Sequence, residues 1–381
     1  MRKLLFAMLF GIFSVSAQDV ALAIPWGVTY VRAPEVWATG NTGQDVVVGI
    51  LDSGVNQSSE LNVIGGKNVA TMDSTDWSDN ISVCNGHGTH VAGTVGSTSY
   101  GVAPGTKIFA YKIFQVINGG CASWSSSQIT AIRDAQARGI RVLNASVGGS
   151  PGGAIFITVG DYGRQGGALV ASAGNNVPSI LSPAVYPEAT AVGAVNSSGN
   201  KSSYSATGWP LDIMAPGDGI VSLSRTAGNT VTKSGTSMAS PHVAGVFALL
   251  LKRQPTLTTR DLQHVVEITA RDRGASGRDQ LYGYGIIDAF AADSFLIANP
   301  NFHAPPPVFT PSVINVSKAS GRISDSISVE TISDAWSVSN LTVSEQFGAG
   351  FSFIYGRDYL VIRYLWGSVT YPLPKTWTIE F

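Results

Sequence analysis

Apolar and polar positions change rhythm repeatedly along this chain, and the rhythm predicts its elements. Val46-Val47-Val48-Gly49-Ile50-Leu51 is β-branched and continuously apolar, the pattern of a strand buried on both faces. Residues 108–114, 140–145 and 168–173 predict further strands of the same kind. Residues 125–138 place Ile129 and Ile132 on one face and stop at Gly139, so they predict a helix closed by a C-terminal glycine. Residues 243–252 are apolar nearly all round, which predicts a buried helix. Strand and helix in alternation predict an α/β fold, a parallel sheet with helices on both faces.

The rhythm changes near residue 299. Residues 299–311 contain Pro305, Pro306, Pro307 and Pro311, the composition of an extended linker. From 312 to 381 the apolar segments are short, alternating and aromatic, as in 326–329 and 359–364. They predict a small all-β domain whose role and partner the sequence does not name. At the other end, Arg2 and Lys3 precede twelve mostly apolar residues and the small residues Val15-Ser16-Ala17. This predicts a signal peptide over 1–17, hence a secreted chain. Twelve residues are too few to span about 30 Å of hydrocarbon, so no membrane span is expected. Residues 18–298 remain as the main domain.

Composition narrows the function. Charged residues are 13% of 381, and 24 Lys+Arg face 25 Asp+Glu. That balance excludes a protein that grips nucleic acid through a basic patch. Cys84 and Cys121 are the two cysteines; in an exported chain they can pair, whereas a zinc site needs more ligands.

Three segments carry candidate chemistry. Asp52-Ser53-Gly54 ends the first buried strand, and taken alone Asp52 reads equally as a turn or capping residue. Asn85 to Gly93 holds His87 and His90, whose i,i+3 spacing matches no metalloprotease helix. Gly235-Thr236-Ser237-Met238 leads into the apolar helix, where a serine is either a cap or an exposed hydroxyl. Together they supply a carboxylate, an imidazole and a hydroxyl. A serine needs an adjacent base, and the base needs a carboxylate to fix its tautomer. Ser172-Ala173-Gly174-Asn175 adds a side-chain amide able to donate to an oxyanion.

These four blocks, in this order, resemble the signature blocks of the subtilisin-like serine proteases. The resemblance runs from about Ile24 to Ala298 and includes Gly235 to His242 and Tyr282 to Asp288. It implies a secreted serine endopeptidase acting on proteins or peptides as a monomer, through an acyl-enzyme. Ser237 is then the nucleophile, His87 the base, Asp52 its orienting carboxylate and Asn175 the oxyanion donor. Ser146-Val147-Gly148-Gly149 resembles the strand that pairs with substrate and walls the P1 pocket. Counting back from Tyr186-Pro187 makes Val185 the pocket floor. Cys84 and Cys121 resemble the bridged pair of the proteinase K-like branch. Trp124 falls among the outer subsites.

The chemistry needs no cofactor, but members often bind structural calcium, for which Glu60 is a candidate ligand; the short loop after Gly93 lacks the family's Asn-rich calcium segment. The resemblance also leads one to expect an N-terminal propeptide, for which residues 18–23 leave little room. The competing readings are a latent or non-catalytic relative that serves binding, and an esterase using the same machinery.

Overall fold

The computed structural model describes residues 24–71 and 75–304, together with six strand segments between 313 and 380. The expected signal peptide and the four prolines of the expected linker lie outside the described residues.

The strands of the main body are β1 (Val47–Asp52), β2 (Val63–Asn68), β3 (Lys107–Lys112), β4 (Phe114–Ile117), β5 (Gly120–Ser123), β6 (Val142–Ala145), β7 (Ala168–Ser172), β8 (Ala189–Val195), β9 (Ile213–Pro216), β10 (Ile220–Leu223) and β11 (Thr230–Lys233). The helices are α1 (Trp26–Tyr30), α2 (Ala33–Trp37), α3 (His87–Gly96), α4 (Ser125–Ala137), α5 (Gly153–Arg164), α6 (Thr236–Arg253), α7 (Thr259–Ile268) and α8 (Ala289–Ala298). Seven strands form one parallel sheet in the order β2-β3-β1-β6-β7-β8-β9. Two antiparallel hairpins, β4–β5 and β10–β11, stand outside it.

Strand periodicity divides the core in two. Val48 and Ile50 of β1 join Val91 and Val95 of α3, the apolar face of α6 and Leu296 of α8. Leu51 turns the other way, with Leu143, Leu169, Ile132 of α4 and Val159 of α5. Residues buried alternately into two helical layers leave no polar face, which is why these strands read as continuous apolar runs. The predicted sheet with helices on both faces is therefore the fold of this body.

Two boundaries differ from the sequence pattern. The apolar helix begins at Thr236 rather than 243, because Pro241 near its start forfeits only the bond to Ser237. The segment 108–114 ends its sheet pairing at Lys112, and Phe114 already belongs to the hairpin β4–β5.

The chain also stays on the body past Ala298. Phe302 packs edge-on against Phe295 and stacks on His264. The Ala304 N–H and the His303 Nδ1–H both donate to the Asp261 carboxylate. Any linker therefore begins after Ala304, not at 299.

Beyond it the backbone forms β12 (Val313–Ser317), β13 (Ser324–Ser328), β14 (Ser352–Tyr355), β15 (Tyr359–Tyr364), β16 (Gly367–Pro372) and β17 (Trp377–Glu380). They pair as two three-stranded sheets, β13-β12-β17 and β14-β15-β16.

Candidate active site

In the parallel sheet β1 is paired on one side with β3, earlier in the crossover order, and on the other with β6. The crevice at the carboxyl ends of strands beside such a reversal is where α/β proteins build sites. Asp52 is the last residue of β1 and is fully buried. His87 opens α3, and its Nδ1–H donates to Asp52 Oδ1 at 2.8 Å, with Oδ2 at 3.0 Å. A second donor fixes the carboxylate, the Ser53 N–H at 2.7 Å to Oδ1.

The close approach depends on Gly88. A Cβ there would lie 2.1 Å from the Gly54 carbonyl oxygen and 3.0 Å from Asp52 Cβ. Any side chain at 88 would push α3 off the Asp52 turn. Burial disfavours the charged form of His87, but the Asp52 charge and hydrogen bond outweigh it, so the imidazole is held above its ordinary value of 6.5.

His90 goes elsewhere. Its Nε2–H donates to the Ile220 carbonyl at 3.0 Å, and burial pushes it down to about 3. The two histidines of this segment therefore do not converge on a metal.

Ser237 is the second residue of α6, half-buried, with Gly235 as the N-cap in a conformation that favours glycine (φ 154). Its backbone carbonyl has lost its helical partner, because the residue four positions on is Pro241, which has no N–H. Ser146 replaces that partner, its Oγ–H donating to Ser237 O at 2.8 Å. Ser146 Oγ itself accepts from Asn144 Nδ2 at 2.9 Å and sits 2.9 Å from Ser240 Oγ. The Ser146 side chain is thus spent inside the protein, which leaves its backbone for the expected pairing with substrate.

The rest of that strand divides. Val147 is buried, Gly148 is exposed, and Gly149 exchanges two backbone bonds with Ser182 (2.9 and 3.0 Å). Gly148 is thus the open position.

Asn175 follows β7 and is exposed. Its Oδ1 accepts both the Thr236 N–H (2.9 Å) and the Thr236 Oγ1–H (3.1 Å). Pinning the oxygen of the amide leaves Nδ2 as the free end, next to the residue that precedes Ser237. Among the described residues no hydrogen bond joins Ser237 Oγ to His87; in ligand-free enzymes such bonds are often long and tighten on binding substrate.

Val185 is the expected pocket floor. It is 3% exposed and packs in the core under the sheet, with its N–H on the Leu181 carbonyl. The side chain beside the wall glycines is Leu181: a Cβ on Gly148 would meet its Cδ1 at 2.5 Å, and one on Gly174 at 3.1 Å.

Cys84 and Cys121 form a disulfide. It joins the 3-10 turn Ser82–Cys84, just ahead of His87, to β5. Trp124 caps α4 after that hairpin and is 56% exposed.

Glu60 lies apart from this cleft. Its Oε2 accepts the Ser97 Oγ–H at 2.9 Å and its carbonyl the Thr98 N–H. Among the described residues no three His, Cys, Asp or Glu side chains converge on one point. No helix among them is long and apolar enough to cross a membrane.

A buried Asp–His pair, a serine at a helix start and an amide bonded beside that serine are the parts that serine-based acyl transfer requires. Comparison with known proteins gives the family: the pattern of the Subtilase family matches residues 43–285, and the chain belongs to that family. Subtilisin E of Bacillus subtilis (strain 168) is 38% identical over 288 residues, 72% of this chain and 73% of its own. Subtilisin of Bacillus pumilus is 38% identical over 284 residues, 71% of this chain and 99% of its own. Among solved structures, a cold adapted subtilisin-like serine proteinase is 32% identical with TM-score 0.58, covering 65% of this chain and 90% of that one. MycP1 with the N-terminal propeptide removed is 26% identical with TM-score 0.62, covering 71% and 96%.

Proposed function

We propose that this chain is a secreted subtilase that cleaves internal peptide bonds through an acyl-enzyme, with Ser237 as nucleophile and His87 as the base that takes its proton. Asp52 holds the imidazole in the tautomer with Nδ1–H toward the carboxylate, which leaves Nε2 free to accept. It also stabilises the imidazolium that forms. The Asn175 amide and the Ser237 backbone N–H receive the oxyanion, and in this family the loss of such an amide donor costs about 2.7–4 kcal/mol. Gly148 offers backbone to an extended substrate by strand addition. Leu181 bounds the P1 pocket between Gly148 and Gly174, favouring a small or medium apolar side chain. Trp124 covers an outer subsite.

The observation that carries this reading is the 2.8 Å contact of His87 with the buried Asp52, in a chain whose Asn175 is bonded to the residue before Ser237. The strands after 313 are proposed as a separate β module that tethers the enzyme to a surface or substrate.

The test is direct. Secreted protein is incubated with casein and with a fluorophosphonate probe, alongside Ser237→Ala. Wild type is expected to label and to cleave casein, and the variant to do neither, with a fall of about 10⁶ in kcat as measured for triad loss in this family. Labelling without peptide cleavage would make the chain an esterase, and equal turnover by Ser237→Ala would overturn the assignment. Since His87 must be neutral to act, kcat/KM should rise with pH, its acidic limb lying at or above His87's ordinary 6.5.

A further inference from the structure

Two carboxylates, not one, are buried beneath His87. Asp79, in the loop before α3, is fully buried. Its Oδ1 accepts the Ser53 Oγ–H at 2.8 Å, and its Oδ2 accepts the Thr89 N–H at 2.9 Å and the Thr89 Oγ1–H at 2.8 Å. Every side-chain contact of this carboxylate is a donor, the array that suits the ionised acid, and these bonds work against the burial that pushes the carboxyl above its ordinary value. Ser53 Oγ also accepts the Gly88 N–H at 3.0 Å, and the Ser53 N–H is the donor that fixes Asp52. Asp79 therefore clamps the residue after Asp52 to the second and third residues of the helix that begins with His87.

A cation stands on the other flank. Lys233 ends β11, four residues before Ser237. Its Nζ donates to the Asn85 carbonyl at 2.9 Å, and Asn85 is a left-handed residue (φ 51) two before His87. Lys233 so ties the turn into His87 to the strand that leads into Ser237.

We propose that Asp79 and Lys233 are positioning residues of opposite charge, which hold His87 from two sides and set the balance between its charged and neutral forms. This rests on His87 being the catalytic base. The charges facing His87 are Asp52 from β1, Asp79 from the preceding loop, His90 on α3 and Lys233 from β11, with Arg225 of the β10–β11 loop packed by its Cβ against Gly86. His90 is neutral, as its depressed pKa of about 3 requires. Of the remainder, Asp79 favours the imidazolium and Lys233 opposes it. Neither touches a reacting atom, so each acts through His87.

The experiment reads His87 directly. In the full chain carrying Ser237→Ala, the ring resonances are titrated by NMR, with the His87 signal identified by its loss in His87→Gln. Asp79→Asn should lower the midpoint and Lys233→Met should raise it, each by about half a unit for a single charge at this kind of range. In chains that retain Ser237, kcat should fall about tenfold or more with Asp79→Asn while KM changes little, and the acidic limb should move with the NMR midpoint. Midpoints that stay within about 0.1 unit of the parent, or that move in the same direction, would overturn the proposal. Should Asp79→Asn fail to fold, Lys233→Met decides alone, an upward shift supporting the proposal and no shift overturning it. Because the titration needs no turnover, failure of the protease assignment would show separately, as absent proteolysis beside normal shifts.

Discussion

Ser237, the proposed nucleophile, is held through its backbone carbonyl. Pro241 removes the N–H that Ser237 O would accept in a regular helix, and Ser146 Oγ fills the gap at 2.8 Å. Removing that hydroxyl leaves a polar atom without its partner at the first turn of α6, at a cost of about 1–3 kcal/mol. Ser146→Ala should therefore lower the melting temperature and reduce kcat more than it raises KM, while Ser146→Thr restores part of both. Unchanged kcat in Ser146→Ala by steady-state kinetics would show that the carbonyl needs no anchor. A comparable economy applies to Asn175, whose oxygen is committed to Thr236 so that its nitrogen is the end presented outward.

At the scale of elements, a disulfide ties together two separate pieces of the chain beside His87. The hairpin β4–β5 carries Cys121, the turn before α3 carries Cys84, and the bridge spans 37 positions. Closing a loop of that length stabilises by about 3–4 kcal/mol on chain-entropy grounds. The bridge also fastens the hairpin to the segment that delivers His87. Cys84→Ser with Cys121→Ser should lower the unfolding midpoint correspondingly and raise KM for extended peptides more than for single-residue esters. Alkylation of two thiols in native secreted protein before reduction would contradict the bridge.

Helix α4 is secured differently. Asp134 receives Lys67, Tyr111 and Arg138, and these bonds overcome its burial to hold it at about 2. Arg138 also lies over the Phe109 ring. The helix is thereby fixed to β2 and β3, on the side of the sheet away from α6.

For the whole molecule, buried neutral histidines contribute to the response to acid. Burial, partly offset by its bond to the Met238 carbonyl, holds His242 at about 4, against 6.5 in the unfolded chain. Above pH 6.5 both states leave it neutral and its contribution is complete. Between 6.5 and about 4 the unfolded chain binds a proton that the folded chain refuses, so stability falls with pH. The loss from this residue amounts to about 3 kcal/mol. His242→Gln should flatten the fall in melting temperature between pH 7 and 4.5; an unchanged slope would remove His242 from the account.

Truncation addresses the C-terminal end of the described body. A chain ending at Ala304 keeps the contacts of Phe302, His303 and Ala304 with His264 and Asp261, and should fold and cleave small peptides normally. One ending at Asn299 loses them and should melt lower. If neither can be recovered folded while the full chain can, the β module is part of the fold and not a separate tether.

How much of this the sequence alone determined follows from distance along the chain. The strands at 46–51 and 168–173 and the sheet with helices on both layers were legible locally, whereas Asp52, His87, Asn175 and Ser237 stood out only as four blocks taken together. Buried parallel strands are apolar throughout, and the chemistry-bearing residues sit in compact blocks beside glycines. The tertiary structure alone decided which way side chains face and what they meet across the fold. The Ser146 hydroxyl meets a carbonyl freed by a proline 95 positions later, and the Val185 side chain packs in the core while Leu181 lies beside Gly148 and Gly174. The chain beyond Ala298 remained on the body because Asp261 and His264 receive it. Asp79 and Lys233 had no sequence signal at all, since a lone acid or lysine in a loop acquires meaning only when folding removes its water and sets it beside His87.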